Sequence, residues 1–186
     1  MEAAPFRTLR QSQPYEAFQR LPATVVLDSI RSLYNVGSFF RTADAAGARL
    51  LLCGYTGAPP HRGVAKTALG AERAVEWERR STAVEALKEL RRSGHEIAVV
   101  ETALHAVDLF DWRPRFPVAV VFGNEVEGVS AETSGLADLH VRIPMLGAKQ
   151  SLNVAVAGGV VLFELLRKYR ELHSPQGLAA SACESR

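Results

Sequence analysis

An open α/β sheet with parallel strands is what this sequence predicts, and three observations lead there. Apolar runs of strand length alternate with stretches of helical periodicity, the pattern of strand-helix-strand crossovers. One run, Val118 to Phe122, is apolar at every position, as a strand covered on both faces must be. Glycine-bearing turns follow strands at Asn35–Gly37, Gly123–Gly128 and Gly147–Ser151. In sheets of this kind ligands bind at the carboxyl ends of the strands.

Residues 1 to 22 are polar, with three prolines and basic Arg7, Arg10 and Arg20, and read as an arm leading into a domain over 23–173. Thr24 to Leu27 is a first buried strand. Asp28 to Tyr34 is a loop, and Asn35 stands at the N-cap of a helix with Phe39, Phe40, Ala43 and Ala46 on its apolar side. That helix ends at Gly47, and Arg49 to Cys53 is a second strand. After a proline and glycine loop at 56–63, a short helix over Val64–Ala71 leads into Val75–Trp77. Ser81 then caps an amphipathic helix to Arg92, with Val84, Leu87 and Leu90 inward. Glu96 to Val100 is a strand, Leu104 to Pro117 irregular, Val118 to Phe122 the central strand, Ala131 to Leu136 a short helix, and His140 to Ile143 the last strand. From Ser174 the chain reads as a small, polar, mobile tail.

The chain has 186 residues, enough for one sizeable core. Hydrophobic residues at 47% and charged residues at 23% are globular values, which excludes a disordered chain. No run of 18 apolar residues occurs and the first residues lack a signal-peptide apolar centre, so a soluble cytoplasmic protein without membrane attachment is expected. Two cysteines make neither a disulfide frame nor a metal site. A net charge of +2 permits nucleic-acid binding without arguing for it. No turn spells the dinucleotide fingerprint or a P-loop, which disfavours NAD and ATP enzymes.

The chain is organised around Ile143 to Leu165. A strand ends at Ile143, a flexible turn follows, and Ser151 stands as the expected N-cap of a long helix. Its free N–H groups suit an anionic or hydrogen-bonding ligand. Apolar nearly all round from Leu152 to Phe163, the helix is expected to be buried on most of its circumference. Asn153 inside it then needs a partner. The pair Gly158 and Gly159 implies a close-packed neighbour, since each costs roughly 1 kcal/mol in a helix. The residues alone reach an α/β protein with a nucleoside-sized site and leave the ligand unnamed.

Asn35 to Ala48 (NVGSFFRTADAAGA), Val120 to Ser130 (VVFGNEVEGVS) and Ile143 to Leu165 together resemble the three signature motifs of the SpoU/TrmH family of RNA ribose methyltransferases, in the SPOUT superfamily. The match spans about residues 24 to 170. The resemblance implies a single-domain SPOUT fold with a deep C-terminal trefoil knot, S-adenosylmethionine bound near Gly123, Ile143, Met145 and Leu152, and a homodimer whose sites draw on both subunits.

It also implies the chemistry, attack of a ribose 2′-hydroxyl on the sulfonium methyl, and a catalytic set of Asn35, Arg41, Glu125, Ser151 and Asn153. A guanidinium does not normally lose its proton, so Arg41 reads as a cation stabilising a developing alkoxide and gripping phosphate; the bland reading is an ion pair with Asp44. Glu125 is expected to orient Arg41 or Asn35, or to accept a hydrogen bond from substrate. Arg7, Arg10, Arg31, Arg62 and Lys66 are candidates for phosphate contacts. Where many relatives read SLNVSVA, Ala155 stands for the second serine. The expected substrate is tRNA; the alternatives are the same chemistry on rRNA, or a noncatalytic RNA-binding relative.

Overall fold

The computed structural model describes residues 20–173. The expected tail and all but the last residues of the expected arm, with Arg7 and Arg10, lie outside the described residues. Seven strands form one sheet: β1 (Ala23–Asp28), β2 (Arg49–Cys53), β3 (Trp77–Arg80), β4 (Glu96–Val100), β5 (Val107–Asp108), β6 (Val118–Phe122) and β7 (Leu139–Arg142). Their order is β3-β2-β1-β6-β4-β7-β5, and every pairing is parallel. The wholly apolar run is therefore the middle strand, as its composition requires.

Helices cover both faces. Among the described residues the α-helices are α1 (Leu33–Ala46), α2 (Arg62–Ala68), α3 (Ala83–Arg92), α4 (Ala131–Ser134) and α5 (Val154–Leu172). Strand alternation sorts the core into two layers. Val25, Leu27, Leu50, Leu52, Val120 and Phe122 pack with Phe39 and Phe40 of α1 and Val161, Leu162 and Leu165 of α5. Val26, Leu51, Ile97, Val99, Ala119 and Val121 pack on the other side with Ala86, Leu87 and Leu90 of α3.

Four helix starts differ from the sequence expectation, each by one to three residues; α2 begins at Arg62, two residues before Val64 and inside the expected loop. Ser32, not Asn35, caps α1: its side chain accepts from Asn35 N–H, so the helix begins inside the expected loop. Thr82, not Ser81, caps α3. Asn153, not Ser151, caps α5, with its side chain accepting from Ala155 N–H and Val156 N–H. The end of α1 is as expected, with Gly47 at φ 72°, where a Cβ would be strained. The stretch from Trp77 is strand β3, and the irregular connection contains the two-residue β5.

The expected burial of α5 holds for one side only. Gly158, Val161, Leu162 and Leu165 are buried, whereas Val156 and Phe163 stay 53% and 51% exposed. The glycine pair divides in the same way. A Cβ on Gly158 would lie 2.2 Å from Cε1 of Phe39, so close packing demands glycine there; at Gly159 nothing lies within 4 Å.

Candidate active site

The loops leaving β4, β6 and β7, three adjacent strands, meet at their carboxyl ends and enclose a cleft of about 510 Å³, within the usual range for a small-molecule site. Gly123, Ile143, Met145 and Leu152 all line it, together with Glu101, Glu125, Glu127, Ser151 and Asn153. All four residues expected to hold the cofactor thus face one cavity. Thr102 Oγ1 donates to Gln150 O at 3.3 Å and ties the first loop to the third.

The loop after β6 is shaped by its own residues. Asn124, 6% exposed, accepts from Val126 N–H at 2.8 Å and Glu127 N–H at 2.9 Å, and its Nδ2 donates to Ser29 O at 2.9 Å. The main chain folds back tightly, since a Cβ on Gly123 would stand 2.4 Å from the carbonyl carbon of Gly128. Reasoning from sequence misses Asn124. Its signal is an amide directly after a buried strand within a glycine-bounded turn.

That loop delivers Glu125 to the start of α1. One carboxylate oxygen accepts from Arg31 N–H at 2.9 Å; the other accepts from Ser32 N–H at 3.1 Å and from Asn35 Nδ2 at 2.9 Å. A negative charge on unfilled N–H groups at a helix N-terminus is well placed. Partial burial pushes the carboxyl up, but the bonds from Arg31, Asn35 and Ser32 outweigh it and hold its pKa below the ordinary value. Asn35 in turn accepts from Asn153 Nδ2 at 3.2 Å. Glu125, Asn35 and Asn153 therefore form a chain of hydrogen bonds from the loop after β6, across the first turn of α1, to the cap of α5.

Of the two partners expected for Glu125, the structure selects Asn35. Arg41 is not drawn in. It lies nearly two turns further along α1, exposed, with no hydrogen bond or ion pair among the described residues, so the bland pairing with Asp44 is absent. Ser151 lines the cleft but caps nothing. No group of three His, Cys, Asp or Glu among the described residues is arranged to hold a metal ion.

A parallel α/β sheet with a cleft of this size over three adjacent strands, walled by Ile143, Met145 and Leu152 and edged by carboxylates and amides, is the arrangement in which α/β proteins take a small ligand. Residues 22–163 match the SpoU rRNA Methylase family, and the chain belongs to that family. It is 38% identical over 154 residues to the 23S rRNA (guanosine-2′-O-)-methyltransferase RlmB of Ralstonia nicotianae, an alignment covering 79% of this chain and 59% of that one. With the tRNA (guanosine(18)-2′-O)-methyltransferase of Escherichia coli the identity is 32% over 145 residues, covering 78% and 63%. The crystal structure of an AdoMet-bound rRNA methyltransferase from Sinorhizobium meliloti superposes with a TM-score of 0.73 at 32% identity, covering 80% of this chain and 57% of that one. The chain thus spans less than two thirds of the length of each of these three proteins.

Proposed function

We propose that the protein is an S-adenosylmethionine-dependent RNA methyltransferase that methylates a ribose 2′-hydroxyl. The observation that carries this reading is the Glu125–Asn35–Asn153 chain on the rim of the cleft lined by Gly123, Ile143, Met145 and Leu152. The residues present fit the cofactor: half-buried apolar side chains for the faces of an adenosine, and Glu101, Glu125 and Glu127 for a cationic sulfonium and ammonium. S-adenosylmethionine supplies, when bound, an electrophilic methyl group. The protein's part is alignment and charge. Glu125 fixes Asn35 so that the two amides present polar groups to the ribose. Arg41 stabilises the developing alkoxide as the hydroxyl passes its proton to water, and grips the adjacent phosphate.

In a single chain Arg41 stands apart from the cleft, and α5 leaves an apolar face open; both fit a homodimer in which Arg41 of one copy serves the cleft of the other. We infer further that the loops after β6 and β7 are threaded as a trefoil knot, that 23–173 is one methyltransferase domain between an arm and a tail, and that the protein acts in the cytoplasm. Among the described residues no helix is long and apolar enough to cross a membrane. We favour tRNA as substrate. The R. nicotianae relative named for rRNA keeps rRNA as the second reading.

The test is transfer of labelled methyl from S-adenosylmethionine to total bacterial RNA, followed by digestion to nucleosides. Transfer to a 2′-O-methylnucleoside in the tRNA fraction is expected. Arg41→Ala should lower the rate on the order of 100- to 1000-fold while cofactor binding survives. No transfer by the wild type, or equal transfer by the variant, overturns the corresponding part of the reading.

A further inference from the structure

We propose that Tyr34, held by Lys66, is a stacking platform for a nucleobase of the RNA strand, beside the residues that handle the reacting ribose; this rests on the RNA-methyltransferase reading above. Tyr34 is the second residue of α1, immediately before Asn35, and its side chain is 52% exposed. An exposed tyrosine by itself means little. This one is fixed on both sides. Its carbonyl accepts hydroxyl hydrogen bonds from Ser38 and from Thr67 of α2, both at 3.0 Å, so the main chain is pinned by two helices. Lys66 Nζ stands 5.4 Å from the ring centroid and 3.5 Å from the phenolic oxygen, within cation–π range. The backbone beneath the ring is thereby held and a cation stands beside it, while the residue stays 52% exposed.

Its surroundings have the character of a single-stranded nucleic-acid track, in which aromatic faces take bases and cations take the phosphates between them. Positions 34, 38 and 41 share one face of α1. Arg41, further along that face, is the residue assigned above to the cleft of the other copy, so the cations of this track are Arg31, Arg62 and Lys66. Exposed Arg31 precedes Tyr34 in the chain, and exposed Arg62 lies on α2 with Lys66. An aromatic between cations fits a polymer of alternating bases and phosphates better than a folded protein surface. Because Tyr34 and Asn35 are consecutive, the base seated on the ring belongs to the target nucleotide or its immediate neighbour. A stacking contact of this kind is indifferent to base identity, so the platform contributes affinity and alignment rather than sequence choice.

The experiment compares the full-length wild type with Tyr34→Ala, Tyr34→Phe and Lys66→Ala, measuring kcat and KM for RNA, cofactor affinity, and RNA retention on a filter without cofactor. Tyr34→Ala is expected to raise KM for RNA and weaken retention about tenfold, the effect of losing one stacked base, with cofactor affinity and melting temperature unchanged. Tyr34→Phe keeps the face and should behave as wild type. Lys66→Ala should lower the slope of log affinity against log salt by about one. Unchanged retention in Tyr34→Ala overturns the proposal, as does an equal loss in Tyr34→Phe, or a loss matched by a fall in melting temperature and cofactor affinity. If the wild type transfers no methyl to any RNA, the enclosing reading fails, while retention still decides the platform.

Discussion

Asn153 and Asn35 meet amide to amide across 118 residues of chain, Nδ2 of Asn153 donating to Oδ1 of Asn35 at 3.2 Å. The same Asn153 caps α5 through its oxygen, accepting from Ala155 N–H at 2.9 Å. One side chain thus starts the last helix and closes the site. The two roles separate by substitution. Asn153→Asp keeps an oxygen for the cap but has no amide to donate. It also sets a carboxylate against Oδ1 of Asn35, whose own NH₂ is already committed to Glu125. Asn153→Ala loses both roles. The alanine variant should lose about 1 kcal/mol, or about 2–4 °C in Tm for a chain of this size, and the aspartate variant much less. Methyl transfer should fall strongly in both. Thermal melts beside activity assays check this.

Glu125 makes the site sensitive to acid. Burial pushes its carboxyl up, yet the N–H groups of Arg31 and Ser32 and the amide of Asn35 together hold its folded-state pKa below the ordinary glutamate value of 4.5. A depressed carboxyl contributes stability above its unfolded pKa and loses it as pH falls through the folded one. The melting temperature should therefore drop below pH 4.5 more steeply in the wild type than in Glu125→Gln. Melts from pH 6 downward at fixed ionic strength, roughly 0.1 M to damp surface charge, measure the difference.

What can be read in the sequence follows from how local each cause is. β1, β2 and β6 are plain because burial on both faces leaves mostly apolar residues. β3 is not, because Trp77–Arg80 lies on the sheet edge and three of its four side chains are charged. Three helix starts are ambiguous because each offers two capping residues, Ser32 and Asn35, Ser81 and Thr82, Ser151 and Asn153, and the backbone angles that choose between them are set by tertiary packing. The set expected to hold the cofactor comes from motif resemblance, and the cleft gathers all of it. Nothing in spacing announces that Asn35 and Asn153 touch.

The separation of Arg41 from the cleft gives a complementation test. If each site combines Arg41 of one copy with Asn153 of the other, Arg41→Ala and Asn153→Ala should each be nearly inactive alone. Co-refolded together, they should recover about a quarter of wild-type activity, since half the dimers are mixed and each mixed dimer keeps one intact site of two. Sites confined to one chain would give no recovery in the mixture.

The glycine pair of α5 separates packing inside the chain from packing between chains. Gly158→Ala puts a methyl 2.2 Å from Cε1 of Phe39, whose ring already lies against Phe122 at 5.1 Å between centroids. The Phe39 ring must then shift against its neighbours. The overpacking costs about 1–3 kcal/mol, against about 1 kcal/mol recovered from helix propensity, so this variant should be destabilised at every protein concentration. Gly159→Ala meets nothing within 4 Å. In an isolated chain it should stabilise by up to about 1 kcal/mol. Gly159 nevertheless lies on the open face of α5 between Val156 and Phe163, the face assigned above to a second copy. If the backbones approach closely there, the added methyl should weaken assembly, so that the melting temperature of Gly159→Ala rises with dilution relative to wild type. Melts across a roughly hundredfold concentration range, with sedimentation at both ends, distinguish the two outcomes.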